Sequence, residues 1–432
     1  MGQAMLGLCE TARSLRDGTL DVMRLLAMLE DRMQAREPDV LAMLPEAGRF
    51  ARLAREAREL CARYPDVGAR PPLFCVPVAV KDIVHVQGFP TRAGSHLPPE
   101  ALSGPEGPVV ATLRAAGALV LGKSHTTEFA YFNPSPTRNP RNPAHTPGGS
   151  SSGSAAAVAA GYCPLGIGTQ TVGSVVRPAS YCGVTGFKPS LGRISTQGII
   201  PFSQSVDQVG FFTSDAAGAD LAGSIFCSGW QGRAPGNGLA ALAVPEGPLL
   251  DRVEPDALRA FREAVARLRS QGVSIVEARV LDDLESVRGL HEALTASDMA
   301  LAHAAWYPRF ADLYGERTRM LIERGHAVPA DQVAAARASM ASLRARLDGF
   351  LRDQGLDGYL CPSAPGTAPL GLSSTGDPIM NLPWTHAGLP VVSLPAGALH
   401  GLPLGLQVAG RFGLDEELLG ACALLEELVT YL

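Results

Sequence analysis

The residues of this chain that could do chemistry fall into two groups, one scarce and one clustered. Lysine and arginine together number 37, yet only Lys81, Lys123 and Lys188 are lysine. Arginine cannot be deprotonated inside a protein, whereas a buried lysine can be, so a site that needs a neutral amine is one place where lysine resists replacement. Compact packing is the other reason to keep a lysine, and the count alone does not separate the two. The clustered group is a pair of Gly/Ser loops, GGSSSGS over 148–154 and QTVGSVVRP over 170–178. The first runs into the small-residue stretch SAAAVAAG, which reads as a closely packed helix. Its N-terminus would present free backbone donors and a positive dipole end, a feature that binds anions and is as often structural as catalytic.

These residues need elements that bring them together. Lys81 follows the apolar run LFCVPVAV, and the second loop follows the run CPLGIGT, so both stand at the ends of strand-like segments. A helix leaving the first loop and a strand returning toward it place both loops at one edge of an open α/β sheet, where such sheets carry their sites. Residues 20–62 read as helices, with Pro38 and Pro45 marking breaks, and from Leu73 short apolar runs alternate with helical stretches. That alternation predicts an α/β sheet with helices on its faces. The organisation expected is one domain over 1–432: a helical lead-in (1–70), a catalytic core (71–215), a helical elaboration (235–355) and a C-terminal return to the core sheet (356–432).

Composition narrows the function further. With 432 residues, 46% hydrophobic, 18% charged and a formal net charge of -5, the chain can bury a large core and carries no basic stripe. Small molecules are therefore the expected partners, with no nucleic acid and no membrane; a homodimer is compatible with this reading. Eight cysteines lie far apart without a C-x-x-C pair, which predicts reduced thiols and a cytoplasmic, soluble, unprocessed protein. Two familiar patterns match by letter only. Gly117–Ser124, GALVLGKS, fits a phosphate-binding loop, but its apolar middle reads as a strand. Gly149–Gly153, GSSSG, fits a nucleophile elbow, but no strand precedes it. Neither a metal-ligand spacing nor a cofactor motif is present.

Taken together, PGGSSSGSAAAVAAG, GTQTVGSVVRPASYCGVTGFKPSLGRIS and VPVAVKDIVHVQGFPTRAGS resemble the motifs of the amidase signature family. Similarity in GPVVATLRAAGALVLGKSHTTEFA, GYLCPSAPGTAP, GLPVVSLPAG and GLPLGLQVAGR extends it over roughly residues 20–425, weakest between about 215 and 355. The resemblance implies a large mixed twisted β-sheet flanked by helices on both faces, and an amidase that uses no cofactor and no metal. It implies Ser174 as nucleophile, Ser150 as proton relay behind a cis Gly149–Ser150 peptide, and Lys81 as base. The N–H groups of Thr171, Val172, Gly173 and Ser174 would form an oxyanion hole. Chemistry supports the base independently: lysine's ordinary pKa of about 10.4 must fall to near 7, a change of about 4 kcal/mol, and burial supplies that much. Ser151, Ser152, Lys123, Lys188 and Cys182 are read as structural, and none of the nine histidines stands where the mechanism needs one.

The sequence departs from the family pattern at three positions. Gln170 stands where the family commonly has Asp, Val172 where it has Gly, and Val176 where it has Arg, with Arg177 displaced by one. Loss of an acid and a base together predicts a neutral arrangement in place of an ion pair. Val172 cannot adopt a left-handed conformation cheaply, so a differently shaped loop is expected there. The reaction expected is hydrolysis of a small-molecule amide through an acyl-enzyme, with esters, anilides and carbamates also in reach. The alternatives are a glutamine-hydrolysing component of an amidotransferase complex and a catalytically silent binding protein on the same scaffold. The helical region and the segment containing Met380, Asn381, Trp384 and His386 are expected to line the substrate pocket.

Overall fold

The computed structural model describes residues 7–232 and 240–429, so the stretches 1–6, 235–239 and 430–432 of the segments expected above lie outside the described residues. Ten strands form one sheet: β1 Pro77–Lys81, β2 Leu119–Ser124, β3 Leu165–Gln170, β4 Thr185–Lys188, β5 Gln208–Thr213, β6 Ala241–Pro245, β7 Ser274–Ala278, β8 Gly358–Pro362, β9 Val391–Leu399 and β10 Leu402–Gly410. Their spatial order is β2-β1-β3-β5-β4-β9-β10-β8-β6-β7. The two flanks, β2-β1-β3 and β8-β6-β7, are parallel, and every pairing between β3 and β8 is antiparallel. This is the mixed α/β sheet the resemblance implied.

Every residue of β1, β2 and β3 is buried. Strands covered on both faces read as continuous apolar runs rather than alternating ones, which is why PVAVK and LVLGKS show no period of two. One cover is the helix Ser152–Ala159, packed on β1, β2, β3 and β5, together with the helix Val176–Cys182 on β4, β9 and β10. The other is formed by the helices Ala216–Phe226 and Asp415–Val429, which touch each other and pack on β4, β5, β9 and β10. Small side chains let the first of these helices lie close. A Cβ on Gly153 would come within 2.2 Å of the Ala42 carbonyl oxygen and 2.4 Å of the His125 nitrogen, so only glycine fits there.

Several local expectations shift. The helix Val22–Val40 runs through Pro38 and stops two residues later, because a proline this near the C-terminal end removes little of the ladder. LFCVPVAV is strand only from Pro77, the residues before it forming turns. The region from 240 to 355 is mainly helical, with Leu284–Ala302, Glu316–His326 and Ala330–Gln354 as its larger helices after Pro255–Ser270. It also supplies β6 and β7, which extend the sheet edge; β7 alternates exposed and buried at its start, as an edge strand does.

All three lysines are buried, each with a different partner set. Lys123 Nζ lies 2.6 Å from Asp82 Oδ1, an ion pair that ties the end of β2 to the turn after β1. Lys188 Nζ donates to Gln208 Oε1 at 2.7 Å and to the carbonyl oxygens of Pro189, at 3.2 Å, and Leu389. Lys81, the last residue of β1, has no salt bridge among the described residues. GALVLGKS is therefore a strand ending in a structural ion pair and not a phosphate loop. GSSSG enters a helix without leaving a strand, as its context predicted.

Candidate active site

Parallel pairing of β1 with β3 carries Lys81 to the strand end beside Thr169. Its Nζ lies 2.8 Å from Ser150 Oγ and 2.8 Å from Thr169 Oγ1, with the Thr169 carbonyl oxygen at 3.5 Å. Ser150 follows a cis Gly149–Ser150 peptide. Lys81 is fully buried, and burial lowers its pKa to about 7, opposed only by the charge of Asp207. The one acid that acts on it is itself held back: burial raises Asp207 to about 6, against the bonds it accepts from Thr171 Oγ1 (2.6 Å) and from the Phe202 and Ser203 N–H groups (both 2.9 Å). An amine in this setting is easily neutral near pH 7.

Ser174 lies in the turn between β3 and the helix Val176–Cys182 and lines a narrow cleft with Ser150, Gly173, Arg177 and Thr375. No hydrogen bond joins Ser174 to Ser150 in this structure; contacts of this kind often tighten only around a bound substrate. The N–H groups of Thr171, Val172, Gly173 and Ser174 donate to no described residue, and the last three of these residues line the cleft. Gly173 is where the chain passes closest to its support, since a Cβ there would sit 2.3 Å from Asn381 Oδ1.

The carbonyls of this loop are held from outside. Thr385 Oγ1 donates to the Val172 carbonyl at 2.6 Å, and His291 Nε2 donates to the Thr171 carbonyl at 3.1 Å. A carbonyl only accepts, so the neutral His291 ring must accept at Nδ1, where His386 Nδ1 stands 3.2 Å away. His386 Nε2 then accepts from Ser339 Oγ at 3.2 Å. Burial, and then the neighbouring His386, lower His291 to about 3, and burial lowers His386 to about 4, so both rings are neutral near pH 7. Sequence reasoning places His386 in a segment expected to line the pocket and gives His291 no place at the site. His291 lies 120 residues from Thr171 in the chain, and the contact appears only in the folded structure. Thr169 and Asp207 escape it for the same reason.

The departures from the family pattern resolve only in part into the neutral arrangement expected: Gln170 is neutral and bonded at both ends, but Arg177 stays buried with no carboxylate partner among the described residues. Gln170 Oε1 accepts from the Val175 and Val176 N–H groups at 2.8 and 3.0 Å, and its Nε2 donates to Thr385 Oγ1 at 2.9 Å. Arg177 points inward, but to the Gly149 carbonyl (2.9 Å) and Thr375 Oγ1 (3.1 Å), not to a carboxylate. Val172 does not adopt a left-handed conformation, so the loop takes a shape any residue allows. Ser151 bonds Thr169, Ser152 bonds the Gly148 carbonyl, and burial pushes the Cys182 thiol up to about 12; these remain structural.

Beside the cleft lies a chamber of about 250 Å³. Tyr131, Phe132, Val172, Phe202 and Pro378 border both spaces, so the two are continuous. His291, Thr295 and Leu321 line it from the helical region, as expected, and Ile379 and Leu382 come from the later segment. Met380 and Trp384 instead lie in the core, while Asn381 and His386 support the loop from behind.

The Amidase family model matches residues 25–419. The chain belongs to the amidase family. It is 32% identical, over 96% of its length and 95% of the relative's, to the A subunit of glutamyl-tRNA(Gln) amidotransferase from Synechococcus sp. (strain WH7803). The crystal structure of an amidase superposes on it with TM-score 0.88, at 31% identity, covering 98% of this chain and all of that one (100%). Native peptide amidase from Stenotrophomonas maltophilia superposes with TM-score 0.79, at 25% identity, over 98% of this chain and 97% of its own. This amidase is thus a hydrolase of amide C–N bonds on the amidase signature fold.

The Gln170 arrangement generates a stability prediction. In Gln170→Leu this amidase loses the acceptor for two buried N–H groups at the start of a helix, each worth about 1–3 kcal/mol when left unpaired. Urea denaturation should show a loss of about 2–4 kcal/mol, whereas Gln170→Glu, which keeps both acceptor bonds, should lose less.

Proposed function

We propose that this amidase cleaves a small-molecule amide by two-step acyl transfer through Ser174, Ser150 and Lys81. The observation that carries the reading is the 2.8 Å contact between the buried Lys81 amine and the Ser150 hydroxyl, which lines one cleft with Ser174. With the amine neutral, the Ser150 hydroxyl donates to its lone pair and accepts the Ser174 proton in turn. Ser174 Oγ attacks the carbonyl carbon, its proton moves to Ser150, and the Ser150 proton moves to Lys81, which becomes an ammonium. The oxyanion formed is stabilised by the N–H groups of Thr171, Val172, Gly173 and Ser174, donors of a kind worth a few kcal/mol each. Collapse breaks the C–N bond, and the ammonium returns its proton through Ser150 to the leaving amine. Water then attacks the acyl carbonyl while its proton passes through Ser150 to Lys81; the ester C–O bond to Ser174 breaks, Ser174 Oγ takes that proton back through Ser150, and the acid leaves.

Thr169 and Asp207 fit this scheme as supports. Thr169 Oγ1 fixes the amine beside Ser150, and Asp207 holds Thr171 while its charge favours the transient ammonium. The setting that fits eight free thiols is a cytoplasmic one. Among the described residues no helix is long and apolar enough to cross a membrane.

A second reading is favoured by the curated relatives, several of which are A subunits of glutamyl-tRNA(Gln) amidotransferase. On it this chain would hydrolyse glutamine within a complex. Ammonia release from glutamine, absent with simple amides, would select that reading over the first.

Two outcomes test the proposal. Against a panel of carboxamides, anilides, esters and carbamates, Ser174→Ala should lower kcat by at least about 10⁴-fold, and a serine-reactive fluorophosphonate should label Ser174 in the parent protein. Full turnover in the variant, or labelling at another residue, contradicts the assignment. The pH dependence follows from Lys81. Its protonated form cannot accept a proton, so kcat/KM should rise about tenfold per pH unit below about 7. It should then level off above that pH; a profile flat from pH 5 to 9 would contradict a lysine base.

A further inference from the structure

Two of the N–H groups that line the cleft belong to peptide groups whose carbonyls are bonded by side chains. A peptide is one conjugated unit, so a donor on its oxygen draws charge across the C–N bond and makes its N–H a stronger donor in turn. The Ser174 N–H shares a peptide with the Gly173 carbonyl, which the backbone N–H of Arg177 occupies at 3.0 Å. The Val172 N–H shares one with the Thr171 carbonyl, bonded by His291 Nε2, and the Gly173 N–H shares one with the Val172 carbonyl, bonded by Thr385 Oγ1.

Each of these side chains stands in a chain of hydrogen bonds that leaves it one direction in which to donate. The Thr385 hydroxyl has one proton and three neighbours: Gln170 Nε2 at 2.9 Å, the Val172 carbonyl at 2.6 Å and the Asn381 carbonyl at 3.1 Å. The Asn381 carbonyl already accepts the Thr385 N–H, and Gln170 can only donate to Thr385, because its oxygen faces the Val175 and Val176 N–H groups. The hydroxyl proton therefore goes to Val172. A carboxylate in place of Gln170 only accepts, and would draw that proton away. The second chain runs from Ser339 through His386 and His291 to the Thr171 carbonyl, which sets its direction by accepting only. Gln170, Thr385, His291 and His386 are each at most 1% exposed, a setting in which hydrogen bonds polarise one another.

We propose that His291 and Thr385 are positioning residues for acyl transfer: acting through the Thr171 and Val172 carbonyls, they aim and strengthen the Val172 and Gly173 N–H groups as oxyanion donors, and Gln170 sets the direction of the Thr385 hydroxyl. The proposal rests on the reading of Ser174 as nucleophile and of this loop as the oxyanion hole. A strengthened donor matters most when the reacting oxygen carries negative charge, so the contribution falls on the chemical step and not on ground-state binding.

The test is the rate at which an alkyl fluorophosphonate labels Ser174. Ser174 Oγ bonds to phosphorus, its proton passes through Ser150 to Lys81, fluoride leaves with the P–F bonding pair, and the phosphonyl oxygen gathers negative charge in the same loop. Mass spectrometry of the labelled parent protein locates the modified residue and checks the underlying reading; the rates in variants check the proposal. Thr385→Val keeps the shape of the side chain and loses its hydroxyl. It should lower the limiting rate about 3- to 10-fold, with the half-saturating concentration unchanged within about twofold, and Thr385→Ser should restore the rate. His291→Phe should show a loss of the same kind. At about pH 9, where the introduced carboxyl is ionised, Gln170→Glu should also label slowly, and Thr385→Val added to it should cost nothing more, because the carboxylate has already taken the hydroxyl proton. If His291→Phe does not fold, the Thr385 series and the double variant decide. A parent rate in Thr385→Val overturns the proposal, as does a loss that appears in the half-saturating concentration instead, or a full Thr385→Val loss in the Gln170→Glu background. Labelling of the parent at a residue other than Ser174 rejects the underlying reading, whereas labelling at Ser174 with unchanged variants rejects the proposal alone.

Discussion

The structure depends on keeping one amine out of water. Lys81 ends a strand buried on both faces, and its partners among the described residues are two hydroxyls and a carbonyl. Desolvation of an ammonium is the large effect in that environment, and the acid whose charge acts on it, Asp207, already accepts bonds from Thr171 and two backbone N–H groups. Replacing any of these partners with a carboxylate at contact distance would fix the proton on Lys81. The same sheet shows the contrast: Lys123, one strand away, has such a carboxylate in Asp82 and serves as a strut.

A second constraint follows from where the sheet ends. The N–H groups of Thr171, Val172, Gly173 and Ser174 after β3 have no partner among the described residues, while two carbonyls of the same loop are satisfied by side chains from elsewhere in the chain. Thr385 and His291 do this, with His386 and Ser339 extending the chain of donors behind them. These groups come from segments more than 100 residues away, and the helical region that carries His291 also lines the substrate chamber. One helix, Leu284–Ala302, thus contributes both to support of the loop, through His291, and to the lining of the chamber.

Much of this is local enough to read along the chain. Scarce lysine, two Gly/Ser-rich loops and the strand-like runs before Lys81 and the second loop mark out the region, and the resemblance to the amidase signature motifs is what singles out Lys81, Ser150 and Ser174 within it. The mixed α/β class follows from alternating patterns. What the chain order hides is anything set by tertiary contact. His291 and Asp207 lie outside every motif, Thr169 lies inside one without a role, and the contacts of all three and of His386 appear only when their elements meet. β6 and β7 are hidden in a region whose helices dominate the composition, since two five-residue strands give little periodic signal beside them. The helix through Pro38 reads as too short because proline looks like a break wherever it stands, although near a C-terminal end it costs little.

The scarcity of lysine makes the central claim open to direct measurement. Protein labelled with nitrogen-15 at lysine carries only three side-chain nitrogens of this kind, and heteronuclear NMR across pH 5 to 11 can follow each, with Lys81→Arg assigning one of them. The account predicts that the Lys81 nitrogen titrates near pH 7, from ammonium to amine. A Lys81 nitrogen that stays protonated to the ordinary lysine value of about 10.4 would contradict it.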